Sequence, residues 1–364
     1  MKRILAIIAL SALCLGISAQ TPRNVKYKFT EAADLTLTGK IFTDTPNPYH
    51  RVDTVKYKGF TAGENLQVRE SSGIACTFKT NSTTISVQTV YGTPTWPSNT
   101  NGFSARGYDL YIRQNGQWLW AGNGVASDKN LEANLVLIKD MDGSEHECLL
   151  YLPLYSEVNS VKIGVEENSS IEALPNPFRH RVVIWGSSYT HGSSTSRAGM
   201  TYPAQFSRNT GIQLLSLGCS GNCKLQTYFC EALCHAEDVD AFIFDSFSNP
   251  DAKMIEERLF PFIEKLQAAQ PGIPLIFQQT IRRESRNFSL SREKSEGDKQ
   301  HMADSLMKIA VKKYKDVYFI RPDATAKDHS ATIDGTHPSN YGYQLWAESI
   351  EKPVLRILKE YGIK

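Results

Sequence analysis

At Leu174-Pro175-Asn176-Pro177 the hydrophobic rhythm of the chain changes, and no single kind of sheet accommodates both rhythms. From about Lys26 to Pro177, short apolar runs alternate with polar residues and turn signals recur every ten residues or so. Thr84–Val90, Tyr108–Ile112, Leu135–Ile138 and Val161–Val165 are examples. Period-2 patterning of this kind predicts antiparallel strands with one wet face, as in a sandwich. From Arg179 the runs become short and almost continuously apolar: Val182–Trp185, Gln213–Leu217, Ala241–Phe244, Pro274–Phe277 and Val317–Ile320. Strands buried on both faces read this way, and amphipathic stretches between them supply the crossovers of a parallel α/β sheet. Ile255, Leu259, Phe262, Ile263 and Leu266 mark one such helix, and Leu345, Ile350, Leu355 and Leu358 are expected to mark the last one.

The first residues set a compartment. Lys2-Arg3, an apolar stretch from Ile4 to Ile17 too short to span a bilayer, and Ser18-Ala19 before Gln20 read as a cleaved secretory leader. The expected layout is therefore a leader over 1–19, a sandwich domain over 20–177 and an α/β domain over 178–364. The protein is expected to be exported, periplasmic or extracellular, without an integral membrane segment once the leader is removed. In the 364 residues, Lys and Arg total 40 against 38 Asp and Glu, and no run of five basic residues occurs. That balance disfavours an electrostatic nucleic-acid binder.

Six cysteines remain beyond Cys14. Cys219, Cys223, Cys230 and Cys234 fall at spacings of four, seven and four. Three readings stay open, namely buried small hydrophobes, a disulfide and a metal site. The first is favoured because structural zinc sites prefer closer pairs.

In an open parallel sheet the chemistry sits beyond the carboxyl ends of the strands. Those places carry Gly186-Ser187-Ser188-Tyr189-Thr190-His191-Gly192, Leu217-Gly218-Cys219-Ser220-Gly221-Asn222, Asp245-Ser246-Phe247-Ser248-Asn249-Pro250 and Asp334-Gly335-Thr336-His337-Pro338. A serine needs an imidazole to take its proton, and the imidazole needs an acceptor on its other nitrogen. Ser188, His337 and Asp334 supply that set. The backbone N–H groups of Ser188 and Gly221 and the side-chain amide of Asn249 are candidate donors to a developing oxyanion. Asn222 and Asn209 are alternatives to Asn249.

These ordered segments resemble the blocks of the SGNH (GDSL-type) serine hydrolases over Arg179 to about Tyr361. The resemblance implies a flavodoxin-like α/β/α fold, ester hydrolysis through Ser188, His337 and Asp334, an oxyanion hole from Ser188, Gly221 and Asn249, and no metal or organic cofactor. Ser187 stands where the family often has Asp, and Ser248-Asn249-Pro250 replaces a glycine-flanked Asn. In the first half, Gly107-Tyr108-Asp109-Leu110-Tyr111 is similar to the Gly-x-Asp-Leu-Tyr signature of a jelly-roll-like β-sandwich found ahead of such domains in exported bacterial esterases, where it helps to wall the cleft.

The expected activity is removal of a small acyl group, acetyl foremost, from an acylated carbohydrate or other small ester. A lipase, lysophospholipase or thioesterase using the same triad is the alternative enzyme. A carbohydrate-binding protein with an inactive hydrolase half is the alternative from another class. Arg197, Tyr189 and His191 are candidate substrate contacts, His191 also being the nearest rival base. Trp118 and Trp120 share a strand face and are expected to pack in the sandwich core, as are Tyr108 and Tyr111. Asp109 and Arg106 are read as a structural pair or as cleft residues.

Overall fold

The computed structural model describes residues 25–326 and 328–364, so the leader read at 1–19 and Cys14 lie outside the described residues. The first part holds β1 (Tyr27–Glu31), β2 (Thr36–Thr38), β3 (Ala75–Thr80), β4 (Ile85–Pro94), β5 (Tyr108–Gln114), β6 (Gln117–Gly124), β7 (Leu135–Ile138), β8 (His146–Tyr151), β9 (Ser156–Glu166) and β10 (Ile171–Ala173). They form two antiparallel sheets, ordered β1-β9-β4-β7 and β10-β3-β8-β5-β6, with β2 beside β3. Alternation decides which side chains meet. Phe78, Tyr108, Leu110 and Leu150 from one sheet bury against Ile85, Val87, Val161 and Ile163 from the other.

Five parallel strands follow: β11 (Arg179–Gly186), β12 (Ile212–Gly218), β13 (Ala241–Asp245), β14 (Leu275–Gln278) and β15 (Val317–Ile320). Their order, β12-β11-β13-β14-β15, is the doubly wound order of flavodoxin-like folds, as expected. The helices are α1 (Ala62–Gln67), α2 (Gly102–Ala105), α3 (Ser188–His191), α4 (Tyr202–Thr210), α5 (Thr227–Cys234), α6 (Ala252–Ala269), α7 (Leu290–Lys313) and α8 (Asn340–Glu360). Val183, Trp185, Leu217, Phe244 and Phe277 project toward α5, α6 and α7, whereas Val182, Ile184, Leu214 and Ile243 project toward α4 and α8. Each fully buried side chain of this kind contributes about 1.5–3 kcal/mol, which is why the strands read as continuous apolar runs.

The α6 stripe is buried as expected. In α8 the expectation needs correction. The buried face runs through Tyr343, Trp346, Ala347, Ile350, Val354, Ile357 and Leu358, while Leu345 is only partly buried and Leu355 is exposed. Spacings of five, as in Leu345, Ile350 and Leu355, precess around a helix, whereas three- and four-residue steps hold one face. Cys219, Cys223 and Cys230 are buried among the apolar residues on the α5 side of the sheet, and Cys76 and Cys148 between the sandwich sheets, all as free thiols. Among the described residues no helix is long and apolar enough to cross a membrane.

Chain order and packing do not coincide at residue 177. Ile41, Phe42, Val52, Tyr57 and Val68, from the stretch between β2 and β3, are buried in the same core as α5 and α6. Tyr111, Leu149, Tyr151 and Tyr155 pack with Phe178, Ala198 and Ala204 to form an apolar seam between the halves. Arg51 fastens this junction. Its guanidinium is buried and donates to the carbonyls of Glu70 (2.8 Å), Gly218 (2.9 Å) and Gln67. Arg51→Met fills similar space but strands those carbonyls, so it should lower unfolding free energy by about 3 kcal/mol. Urea unfolding measures this, and a loss below about 1 kcal/mol contradicts the role assigned to Arg51.

Candidate functional site

Strand β11 ends at Gly186, where any Cβ would lie 2.0 Å from Thr190 Oγ1, so only glycine lets the chain fold back this tightly into α3. Ser187 caps α3, its hydroxyl accepting from Tyr189 N–H at 3.2 Å. Ser188 thus becomes the first residue of the helix, at the carboxyl edge of the sheet. The turn is fixed from the neighbouring strand. Asp245, at the end of β13 and fully buried, accepts from Ser187 N–H (3.1 Å), Ser187 Oγ (2.7 Å), Thr190 Oγ1 (3.0 Å) and Ser248 Oγ (2.8 Å). Burial pushes its pKa up against those bonds. The carboxylate missing at position 187 is in effect supplied from the next strand.

His337 Nε2 lies 3.0 Å from Ser188 Oγ, and its Nδ1 lies 2.7 Å from Asp334 Oδ2. Asp334 Oδ1 accepts the backbone N–H groups of Thr336 (2.9 Å) and His337 (2.7 Å), so the three-residue spacing makes the carboxylate cap its own turn. Burial pulls the Asp334 pKa upward, but the His337 N–H, the imidazole and the Thr336 N–H outweigh it and hold the carboxyl at about 2. The geometry lets the hydroxyl proton pass to Nε2 while Nδ1–H stays on an ionised partner.

The three candidate donors line one cleft with Ser188 and His337. Gly221 has φ +74°, a conformation glycine adopts freely, and the Asn222 N–H to Cys219 carbonyl bond closes its turn. Gln67 of α1 clamps that turn from the first half, donating to the Ser220 carbonyl (3.0 Å) and accepting from the Asn222 amide (2.9 Å). Asn249 Oδ1 accepts from Cys223 N–H at 3.2 Å, which orients the amide by its oxygen. The preceding carbonyl, that of Ser248, accepts from Arg283 (2.6 Å) and Lys299 (3.0 Å), both paired with Glu296. Asn222 is occupied by Gln67, and Asn209 bonds Glu351 on the exposed side of α4, so neither replaces Asn249.

The cleft measures about 660 Å³ and is built by both halves. Polar side chains are interspersed among its apolar surface. Tyr155 OH bonds the hydroxyls of Ser193 and Ser220, and Thr95 Oγ1 donates to Glu70. Trp96, 44% exposed, lines it from the loop that follows β4, with the Arg106 guanidinium 3.8 Å from its ring centre. Asn99 of the same loop reaches the His337–Asp334 pair.

The expected substrate contacts lie off this lining, and packing explains each correction. His191 is fully buried. Its Nδ1 accepts from Ser220 N–H (3.4 Å), its Nε2 faces the Leu154 carbonyl (2.7 Å) and Glu70 (3.2 Å), and its ring stacks on Tyr155 at 4.0 Å. Burial lowers its pKa, and with both nitrogens engaged it is a structural neutral imidazole rather than a rival base. Tyr189 is buried beneath His337, and Arg283 donates to its hydroxyl at 2.8 Å. Arg197 pairs with buried Asp109 (3.1 Å) at the seam and lies 5.3 Å from the Trp120 ring. Asp109 and Arg106 do not pair with each other, because Arg106 turns to Asp128 (2.7 Å). Burial pushes Asp109 up to about 6. Tyr108 is sandwich core as expected and Tyr111 packs in the seam, while Trp118 is partly buried and Trp120 is 51% exposed.

Comparison with known proteins agrees with this architecture. The profile of the GDSL-like Lipase/Acylhydrolase family matches residues 179–356, and that of the GxDLY family, the N-terminus of SGNH-hydrolase-type esterases, matches 26–171. The crystal structure of a GDSL-like lipase from Bacteroides ovatus is 35% identical, with a TM-score of 0.87, over 92% of this chain and 98% of that one. The salicylyl-acyltransferase SsfX3 of a tetracycline biosynthetic pathway is 16% identical over 93% and 99% of the two chains, with a TM-score of 0.65. A family two carbohydrate esterase from Cellvibrio japonicus is 11% identical over 92% and 98%, with a TM-score of 0.58. The last two share the fold. A search of curated proteins gives no match.

If Asp245 holds the Ser187–Ser188 turn, Asp245→Asn should slow covalent labelling of Ser188 by a fluorophosphonate about a hundredfold, the effect of a misplaced reacting group. Labelling at the wild-type rate contradicts that role, and Ser188→Ala sets the baseline.

Proposed function

Because the chain belongs to the GDSL-like lipase/acylhydrolase family and is a carboxylic ester hydrolase, we propose that it removes a small acyl group, acetyl foremost, from a carbohydrate through Ser188, His337 and Asp334. The observation that carries this reading is the relay from Asp334 through His337 to Ser188, opening on a cleft whose apolar side chains are chiefly Leu66, Trp96 and Pro97. A long acyl chain wants continuous apolar walls. Apolar surface interrupted by Gln67, Glu70, Thr95 and Asn99, with one exposed indole, suits a hydroxylated ring whose C–H face rests on the aromatic. The carbohydrate esterase among the structures of like fold supports this choice of acyl carrier.

In the proposed reaction Ser188 Oγ attacks the ester carbonyl as His337 Nε2 takes its proton, and the carbonyl π electrons move to oxygen. The backbone N–H groups of Ser188 and Gly221 and the Asn249 amide receive that charge. Collapse of the intermediate breaks the bond to the sugar oxygen, which leaves with the proton from His337. Water then repeats the sequence on the acyl-enzyme, giving carboxylic acid and free Ser188. Asp334 remains ionised throughout. A leader over 1–19 would direct the enzyme to the periplasm or beyond the cell.

Hydrolysis of p-nitrophenyl esters from acetate to decanoate tests the reading. Acetate should be preferred, and Ser188→Ala should be inert. Preference for octanoate or longer would make the substrate a lipid, and silence of the wild type would favour a binding protein. Trp96→Ala should raise KM for an acetylated oligosaccharide about tenfold, with a smaller change on p-nitrophenyl acetate. Equal effects on both substrates would remove the platform.

A further inference from the structure

We propose that Asn99, which comes from the sandwich half, is a positioning residue for the His337–Asp334 pair, so that the acyl-transfer machinery is completed only across the junction of the two halves. This rests on the reading of Ser188, His337 and Asp334 given above. Asn99 Nδ2 lies 3.0 Å from His337 Nδ1 and 3.4 Å from Asp334 Oδ2. Chemistry decides between those neighbours. An ionised Asp334 at 2.7 Å requires the proton on Nδ1, and a protonated nitrogen cannot accept from an amide. The Asn99 N–H therefore donates to Asp334 Oδ2.

With that bond each carboxylate oxygen has two donors, Oδ1 from the Thr336 and His337 backbone and Oδ2 from the imidazole and Asn99. The Asp334 side chain is 36% exposed and sits on a loop, so water competes for its lone pairs and a fixed donor restrains its rotation. The amide is itself held. Thr100 Oγ1 donates to Asn99 Oδ1 at 3.3 Å, which keeps Nδ2 toward the pair. The loop is pinned to the turn after α3, with Ser194 Oγ donating to the Asn99 carbonyl (2.8 Å) and Asn101 Nδ2 to the Thr195 carbonyl (3.0 Å). A segment of the first half is thus laid against the acid–base pair of the second.

The test is p-nitrophenyl acetate kinetics across pH 5–9 on the full chain, for wild type, Asn99→Ala, the isosteric Asn99→Asp and Ser188→Ala. Asn99→Ala should lower kcat about tenfold or more with KM within about twofold, since it loosens the reacting geometry and leaves the cleft. Asn99→Asp puts a second carboxylate beside the pair, which favours the imidazolium. The acid limb of its profile should move up by about half to one pH unit, which reports how close position 99 lies to the imidazole, while the loss in kcat at nearly constant KM reports positioning. Asn99 variants with wild-type kcat and a superimposable profile, alongside an inert Ser188→Ala, would overturn the inference alone. Turnover in Ser188→Ala would overturn the reading beneath it.

Discussion

Asp245 stands at the carboxyl end of the central strand β13, buried, and takes four hydrogen bonds from two different loops. Through Ser187 and Thr190 it sets the turn that presents Ser188, and through Ser248 it sets the loop that presents Asn249. A buried carboxylate is costly unless its lone pairs are filled, so the two loops cannot drift apart without leaving a charge unsatisfied. Ser188 and Asn249, the proposed nucleophile and one proposed oxyanion donor, are thereby fixed relative to each other by one carboxylate. Arg283 and Lys299 extend the restraint by holding the Ser248 carbonyl from the opposite side.

The rest of the site depends on the first half of the chain. Gln67 clamps the Ser220–Asn222 turn, Arg51 bonds the Gly218 carbonyl, and Asn99 reaches the His337–Asp334 pair. The buried set of His191, Glu70 and Tyr155 lies under the same turn and joins its hydroxyl groups to the seam. The two halves share apolar cores as well as hydrogen bonds, so the junction belongs to the candidate cleft and to the fold alike. Preorganisation of this kind lets fixed dipoles replace mobile water around developing charge.

What could be read in advance follows from how local each determinant is. Strand positions were legible because burial on both faces forces continuous apolar runs, and the four strand-end segments were legible because a parallel sheet concentrates chemistry there. Asp334 and His337 meet within one turn, so their spacing carries the geometry. Asn99, Gln67 and Asp245 meet their partners only through the tertiary fold, and each is a common polar residue in a loop or at an element's end. Asp245 alone had a signal, since the departure at Ser187 leaves a turn in want of a carboxylate. His191 lies three residues from Ser188 in sequence, yet α3 turns it inward beneath the cleft, a burial that spacing alone does not reveal. Leu345 and Leu355 are apolar yet lie off the buried stripe of α8, because only three- and four-residue steps hold a helix face.

The central claim is that groups from both halves converge on one reacting centre at Ser188. A crystal structure of the enzyme carrying a methylphosphonate on Ser188 tests it most directly, because the phosphoryl oxygen stands in for the oxyanion. The account predicts that oxygen within about 3.1 Å of the Ser188 and Gly221 backbone nitrogens and of Asn249 Nδ2, with the Asn99 amide still on Asp334. A phosphoryl oxygen turned toward solvent, or Asn99 released from the pair while the adduct is intact, would contradict it.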